Sequence, residues 1–219
     1  MGRLPAIGAA HTGPRGKTKM TRCMMSALLT LTVAGTTAVA VAAPAAAQGT
    51  IPPRETQIAA AVLPIPAEQR ATARVLGYGA DGKLATLREG KGMICLASDP
   101  KMERFHVACY HESLEPFMAR GRALRAGGTK DPQVDSVRFR EAKAGTLKLP
   151  NGPAALYSLT GGAFDSKTGT APEARHLYVV YIPYASSATT GLPERPSGSQ
   201  PWLMFPGTPK AHIMFTPGM

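Results

Sequence analysis

The sequence predicts an α+β domain: an antiparallel sheet of about five to six strands with one main packed helix and short helices. Three observations predict it. Short β-branched and aromatic segments recur along the chain, the strongest being residues 176–185. From Ser113 onwards the apolar residues Leu114, Phe117, Met118, Gly121 and Leu124 fall at helical intervals instead. Glycine and proline, 23 and 20 of 219 residues, supply the many turns that such a fold needs. A hydrophobic content of 44% against 18% charged residues suits a globular chain of about one domain. Heptads, collagen triplets and repeats of about 20–50 residues are absent, which excludes fibrous and solenoid architectures.

The first 47 residues differ from the rest. Arg3, Arg15, Lys17, Lys19 and Arg22 come with no acid, an apolar run follows over residues 24–42, and Ala45 and Ala47 form an A-x-A site. Basic region, apolar region and small-residue site in that order predict a secretory signal peptide over residues 1–47, cut after Ala47. Residues 48–219 then form a single exported domain, periplasmic or extracellular, with no transmembrane segment after cleavage. Its formal charge is +6, from 20 lysines and arginines against 14 acids, rather than the +11 of the whole chain. That surface could meet anionic envelope components. No nucleic-acid-binding motif is present.

Within the exported part, residues 54–63 predict a short helix with Ile58, Ala61 and Val62 on one side, ended by Pro64 and Pro66. A second short helix is expected at 67–70. Segments 71–78 and 84–89 flank the turn signal Asp81-Gly82 and read as a hairpin. Segment 92–98 reads as a third strand meandering back after the Gly90–Gly92 break. Segment 105–111 (FHVACYH) alternates like a strand but runs directly into helical pattern, so strand and helix both stay open. The main helix follows, with Ser113 as N-cap, Pro116 in the first turn and Gly127-Gly128 as its stop. Residues 134–142 read as a short helix or a strand, with helix the favoured reading. Residues 154–161 and 176–185 predict strands, the second near the centre of the sheet and ended by Pro183. Residues 186–201 predict a long surface loop, and 202–205 with 211–215 a closing hairpin.

Few residues could carry chemistry. Cys95 and Cys109 are the two cysteines left after cleavage, and in an oxidising compartment they predict a disulfide. It would tie the third strand to the start of the main helix. The alternative is a Zn or Cu site built from His106, His111 and His212 with Cys109, since thiolate and imidazole suit those metals. Neither helix nor strand geometry gathers residues 106, 109 and 111 on one side, and the spacing matches no metal signature. Arg120, Arg138 and Arg140 could bind an anion, with Arg138 and Arg140 sharing a face if their segment is extended. Serines 113, 136, 158 and 166 lack a nucleophile-elbow context, and Glu112 and Glu115 suit a helix start better than acid–base work. Trp202, Met204, Phe205, Met214 and Phe215 read as core.

Two stretches carry a resemblance. Residues 84–100 hold Arg88, Gly90 and Cys95, with Cys109 following, and residues 190–215 hold the phrase from Trp202 to Met214 that contains Gly-Thr-Pro and Ala-His-Ile-Met. Together they resemble a group of small, exported, uncharacterised bacterial proteins with paired cysteines and the same closing phrase. The match spans about half of the exported part and departs at Met93 and Ile94, where an aromatic residue and a threonine are expected. The resemblance implies export and a common fold. It brings no activity or cofactor, so no catalytic residue is carried over. The expectation is a non-catalytic binding or accessory domain stabilised by one disulfide, with a metal-binding protein or an envelope-associated structural protein as alternatives.

Overall fold

The computed structural model describes residues 50–217; the expected signal peptide lies outside them. Helix α1 (Arg54–Ala61) forms where predicted and buries Ile58 and Ala61, with Val62 just beyond its end. After the short α2 (Ala67–Arg70), strands β1 (Arg74–Tyr78) and β2 (Leu84–Arg88) make the hairpin around Gly82. β3 (Met93–Leu96) and β4 (His106–His111) pair antiparallel. The ambiguous segment is therefore extended. Helices α3 (Glu115–Ala126) and α4 (Asp131–Lys143) follow, then β5 (Ala154–Thr160), β6 (Arg175–Tyr181), the single-turn α5 (Ser187–Thr190), and the hairpin β7 (Trp202–Met204) and β8 (His212–Phe215). The described residues belong to one compact unit, and no helix among them is long and apolar enough to cross a membrane.

All strands join one eight-stranded sheet in the order β2-β1-β3-β4-β5-β6-β8-β7. The fold is α+β, but the expected five to six antiparallel strands must be corrected to eight in a mixed sheet. β3 does not meander back beside β2. It crosses to the far side of β1 and pairs with it in parallel, Val75 opposite Cys95. The crossing is short because Gly90 lies directly on the β1 backbone. A Cβ there would meet Thr72 O at 2.3 Å and the Arg74 nitrogen at 2.5 Å. The Lys91 N–H then donates to Thr72 O at 2.9 Å, and Gly92 turns at φ +79°.

Two core layers follow from strand alternation. On one face, α1 covers Ala73, Val75, Cys95, Ala97 and Cys109. On the other, Leu76, Ile94, Tyr110, Ala154, Val179 and Tyr181 pack with Leu114 and Met118 at the start of α3. Phe117 and Leu114 are each 1% exposed, and burying side chains of that size contributes about 1.5–3 kcal/mol apiece.

The expected N-cap of the main helix moves. Ser113 sits inside a 3-10 turn (Glu112–Leu114), and His111 Nδ1 accepts the Ser113 N–H at 3.3 Å. Pro116 does lie in the first turn of α3. The helix ends in a left-handed Gly128 at φ +85°, whose N–H donates to Arg125 O while Thr129 N–H reaches Leu124 O. α4 is the second long helix. It approaches α3 closely because Gly121 has no side chain; a Cβ there would lie 2.9 Å from Arg138 Nη1. Arg138 lies over the Phe117 ring at 3.9 Å and donates to Phe117 O at 3.2 Å.

Candidate functional site

Helix α1 covers one half of its sheet face, and the loop carrying α5 covers the far corner around Ala185, Leu203 and Ala211. Between them the β5–β6–β8 part of that face is open among the described residues. Register explains what is displayed there. Val75, Cys95, Cys109, Tyr157, Tyr178 and Phe215 are successive partners across six strands. The row begins with three residues that are 0% exposed under α1 and emerges as rings, with Tyr178 and Phe215 each 37% exposed. Tyr157 and Tyr178 stand edge to face, 5.7 Å between centroids at 70°, and His176 meets Tyr178 at 5.7 Å and 63°. The rings thus form a stepped corner rather than a flat plate. Neither tyrosine hydroxyl has a hydrogen-bond partner among the described residues.

Tyr157 also borders a pocket of about 280 Å³ that Gln69, Thr72, Lys91, Met93 and His111 line. The Gly90–Gly92 crossing delivers Lys91 to its rim. β4 places His111 there because odd-numbered residues of that strand face the α1 side, as Val107 and Cys109 do. A second cleft, about 300 Å³, lies between α1 and the loops after β3 and β5, with Met102, Phe105 and Phe164 beside Asp99 and Glu103. Burial and the neighbouring Asp99 push the Tyr78 hydroxyl up to about 12.

The Cys95–Cys109 disulfide is present. Because residues 106–111 are extended, it staples two neighbouring strands and not a strand to the main helix. The three candidate histidines lie apart. His106 is at the start of β4, its Nδ1 2.7 Å from Thr160 Oγ1, and burial lowers its pKa. His111 is at the other end of that strand on the opposite face. His212 is on β8, with β5 and β6 between it and β4. It is 6% exposed, stacks on Tyr181 at 4.8 Å and holds its Nδ1 2.7 Å from Lys210 O. Among the described residues no three His, Cys, Asp or Glu side chains gather as a metal would require.

The arginines also separate. Arg120 donates twice to the Glu141 carboxylate, Nη2 to Oε1 at 2.7 Å and Nε to Oε2 at 2.9 Å. Arg138 is 4% exposed and paired with Asp135, whereas Arg140 is exposed. On a helix, residues two apart point about 200° away from each other, so these two share no face. What the structure does bring together is Arg138 and the His212 region. Asp135 accepts from Arg138 and from Lys210, at 2.8 Å in the second case, and Lys210 lies over the Phe205 ring at 4.3 Å. Burial pushes the Asp135 carboxyl up, but the Lys210 and Arg138 hydrogen bonds outweigh it and leave the pKa below the usual value. This network seats α4 against the β7–β8 hairpin.

Sequence reasoning placed Phe215 and Phe205 in the core; both are exposed, at 37% and 39%. His212 and Ile213 alternate across the sheet, yet neither faces solvent: His212 is buried under the α4 side and Ile213 packs with Leu203 on the other face. Tyr157, Tyr178 and Lys91 belong to the site although no sequence motif marks them. The signal for Tyr178 was the alternation His176, Tyr178, Val180, which sets one polar-edged face beside Leu177, Val179 and Tyr181. No protein family, curated protein or solved structure matches this chain.

Proposed function

We propose that the chain is an exported, non-catalytic binding domain that takes carbohydrate across the open β5–β6–β8 face. The observation that supports this reading is the exposed end of the cross-sheet row, Tyr157, Tyr178 and Phe215, with His176 beside it. Aromatic rings stack against the C–H faces of sugar rings, while free phenol hydroxyls and an imidazole hydrogen-bond to sugar hydroxyls. Tyr157, Tyr178 and His176 carry polar edges and stand at steep angles to one another, which suits a ligand that offers hydroxyls as well as C–H faces. The strands beneath are hydrogen-bonded on both sides, so the rings are held before the ligand arrives. Export of residues 48–219 would bring this face to envelope or extracellular glycans.

The test is isothermal titration of the domain with chitotetraose, cellotetraose and acidic oligosaccharides, repeated on Tyr178→Ala and Phe215→Ala. Both side chains are surface groups, so the variants should fold as judged by circular dichroism. Binding of at least one oligosaccharide, weakened tenfold or more in Tyr178→Ala, is the expected result. Binding of none, or undiminished binding by Tyr178→Ala, overturns the reading.

A further inference from the structure

We infer that the glycan taken on this face is acidic, and that its carboxylate enters the pocket beside Tyr157 to meet Lys91 and His111. The inference rests on the carbohydrate reading and adds the ligand's charge. The pocket opens next to the first ring of the aromatic row, and at about 280 Å³ it suits one sugar residue rather than a chain. Its lining contains no carboxylate. Lys91 makes no ion pair among the described residues, and its position is fixed by the strand crossing, where its own N–H is bonded to Thr72 O at 2.9 Å.

The orientation of His111 adds a second polar group. Ser113 occupies the His111 Nδ1, with Oγ at 2.8 Å and N–H at 3.3 Å, so Nε2 is the ring nitrogen left for a ligand. Glu112, the next residue along, borders the pocket, and its Oε2 accepts the N–H of the lining residue Gly92 at 2.7 Å, a hydrogen bond that partly satisfies its charge. Gln69 and Thr72 add neutral polar groups to the same wall. One cation and one unpartnered imidazole nitrogen at the end of a stacking surface are complementary to a sugar ring that carries an acid.

The experiment compares ligands that differ only in charge or in one acidic arm: trigalacturonate against its methyl ester, and N-acetylglucosaminyl-N-acetylmuramic acid against N,N′-diacetylchitobiose. The wild-type domain and Lys91→Gln are titrated with each. The expected result is a preference of fivefold or more for an acidic member, lost in Lys91→Gln while the neutral member binds unchanged. That preference should shrink in 1 M salt, where the screening length falls to about 3 Å. Equal binding of acid and neutral partner, or a preference that survives Lys91→Gln, overturns the inference and leaves the carbohydrate reading standing. Binding of none of the four overturns the inference, and overturns the carbohydrate reading too when cellotetraose and chitotetraose also fail to bind.

Discussion

The carboxamide of Gln57 pairs with both backbone groups of Tyr78. Its Oε1 accepts the Tyr78 N–H at 2.8 Å, and its Nε2 donates to Tyr78 O at 3.0 Å and to Pro52 O at 2.9 Å. β3 pairs with β1 only from Arg74 to Leu76, so beyond that point the sheet lacks a neighbour and a helix side chain replaces it. The intervening Gly77 makes room, since a Cβ there would lie 2.6 Å from Gln57 Oε1.

Gln57→Ala should therefore destabilise the domain by about 1–3 kcal/mol, because it leaves the half-buried Tyr78 backbone groups without partners. A lowered urea midpoint with an unchanged slope is the expected signature. Gln57→Glu should also destabilise at neutral pH, since a carboxylate can accept from Tyr78 but cannot donate to it.

Gly90→Ala should cost about 3 kcal/mol, the upper end of ordinary overpacking. The added methyl meets backbone atoms of Thr72, Ala73 and Arg74, which cannot rotate away as a side chain could. Thermal melting of the variant, with Gly152→Ala as a loop control that meets no atom within 4 Å and needs no positive φ, checks this.

The disulfide closes a short loop, with a sequence separation of 14. On chain-entropy grounds it is worth about 3 kcal/mol. The paired variant Cys95→Ala with Cys109→Ala should lose about that much in urea unfolding. It should keep its strand content, because the two strands also share backbone pairing from Met93 to Leu96.

Acid should weaken the fold in two steps. Burial lowers the pKa of His212 and of His106 below the ordinary value of about 6.5. Their contribution is complete above that value and is lost as pH falls through the lowered one, because the unfolded chain binds the proton first. Asp135, also held low, contributes above the ordinary carboxylate value of about 3.9 and loses that contribution further into the acid range. Urea unfolding from pH 7 to pH 3 should show both losses, with His212→Gln reducing the first and Asp135→Asn the second.

Local pattern carried the element types well. Ile58, Ala61 and Val62 were legible as one helix side, and His176 to Tyr181 as a strand. The parallel β1–β3 pair was not, because the crossing depends on the missing side chain of Gly90 meeting a backbone brought there by tertiary structure. α4 was harder than α3 because the residue it buries deepest beside Val134 is Arg138, a charge that obscures the apolar period. The aromatic face was hidden for a related reason. Tyr157 and Tyr178 look like ordinary strand residues, and only the absence of a covering helix among the described residues separates them from core.

The row that joins Cys109 to Tyr157 also gives the domain an optical property. A disulfide in van der Waals range quenches the emission of an excited phenol, and Tyr157 packs against the core that contains Cys109 and is its register partner. Tyrosine emission should therefore brighten when the bridge is reduced. A ring-bearing ligand settling on Tyr178 would alter that emission from the other side, so the protein's own fluorescence would report redox state and occupancy without an added label.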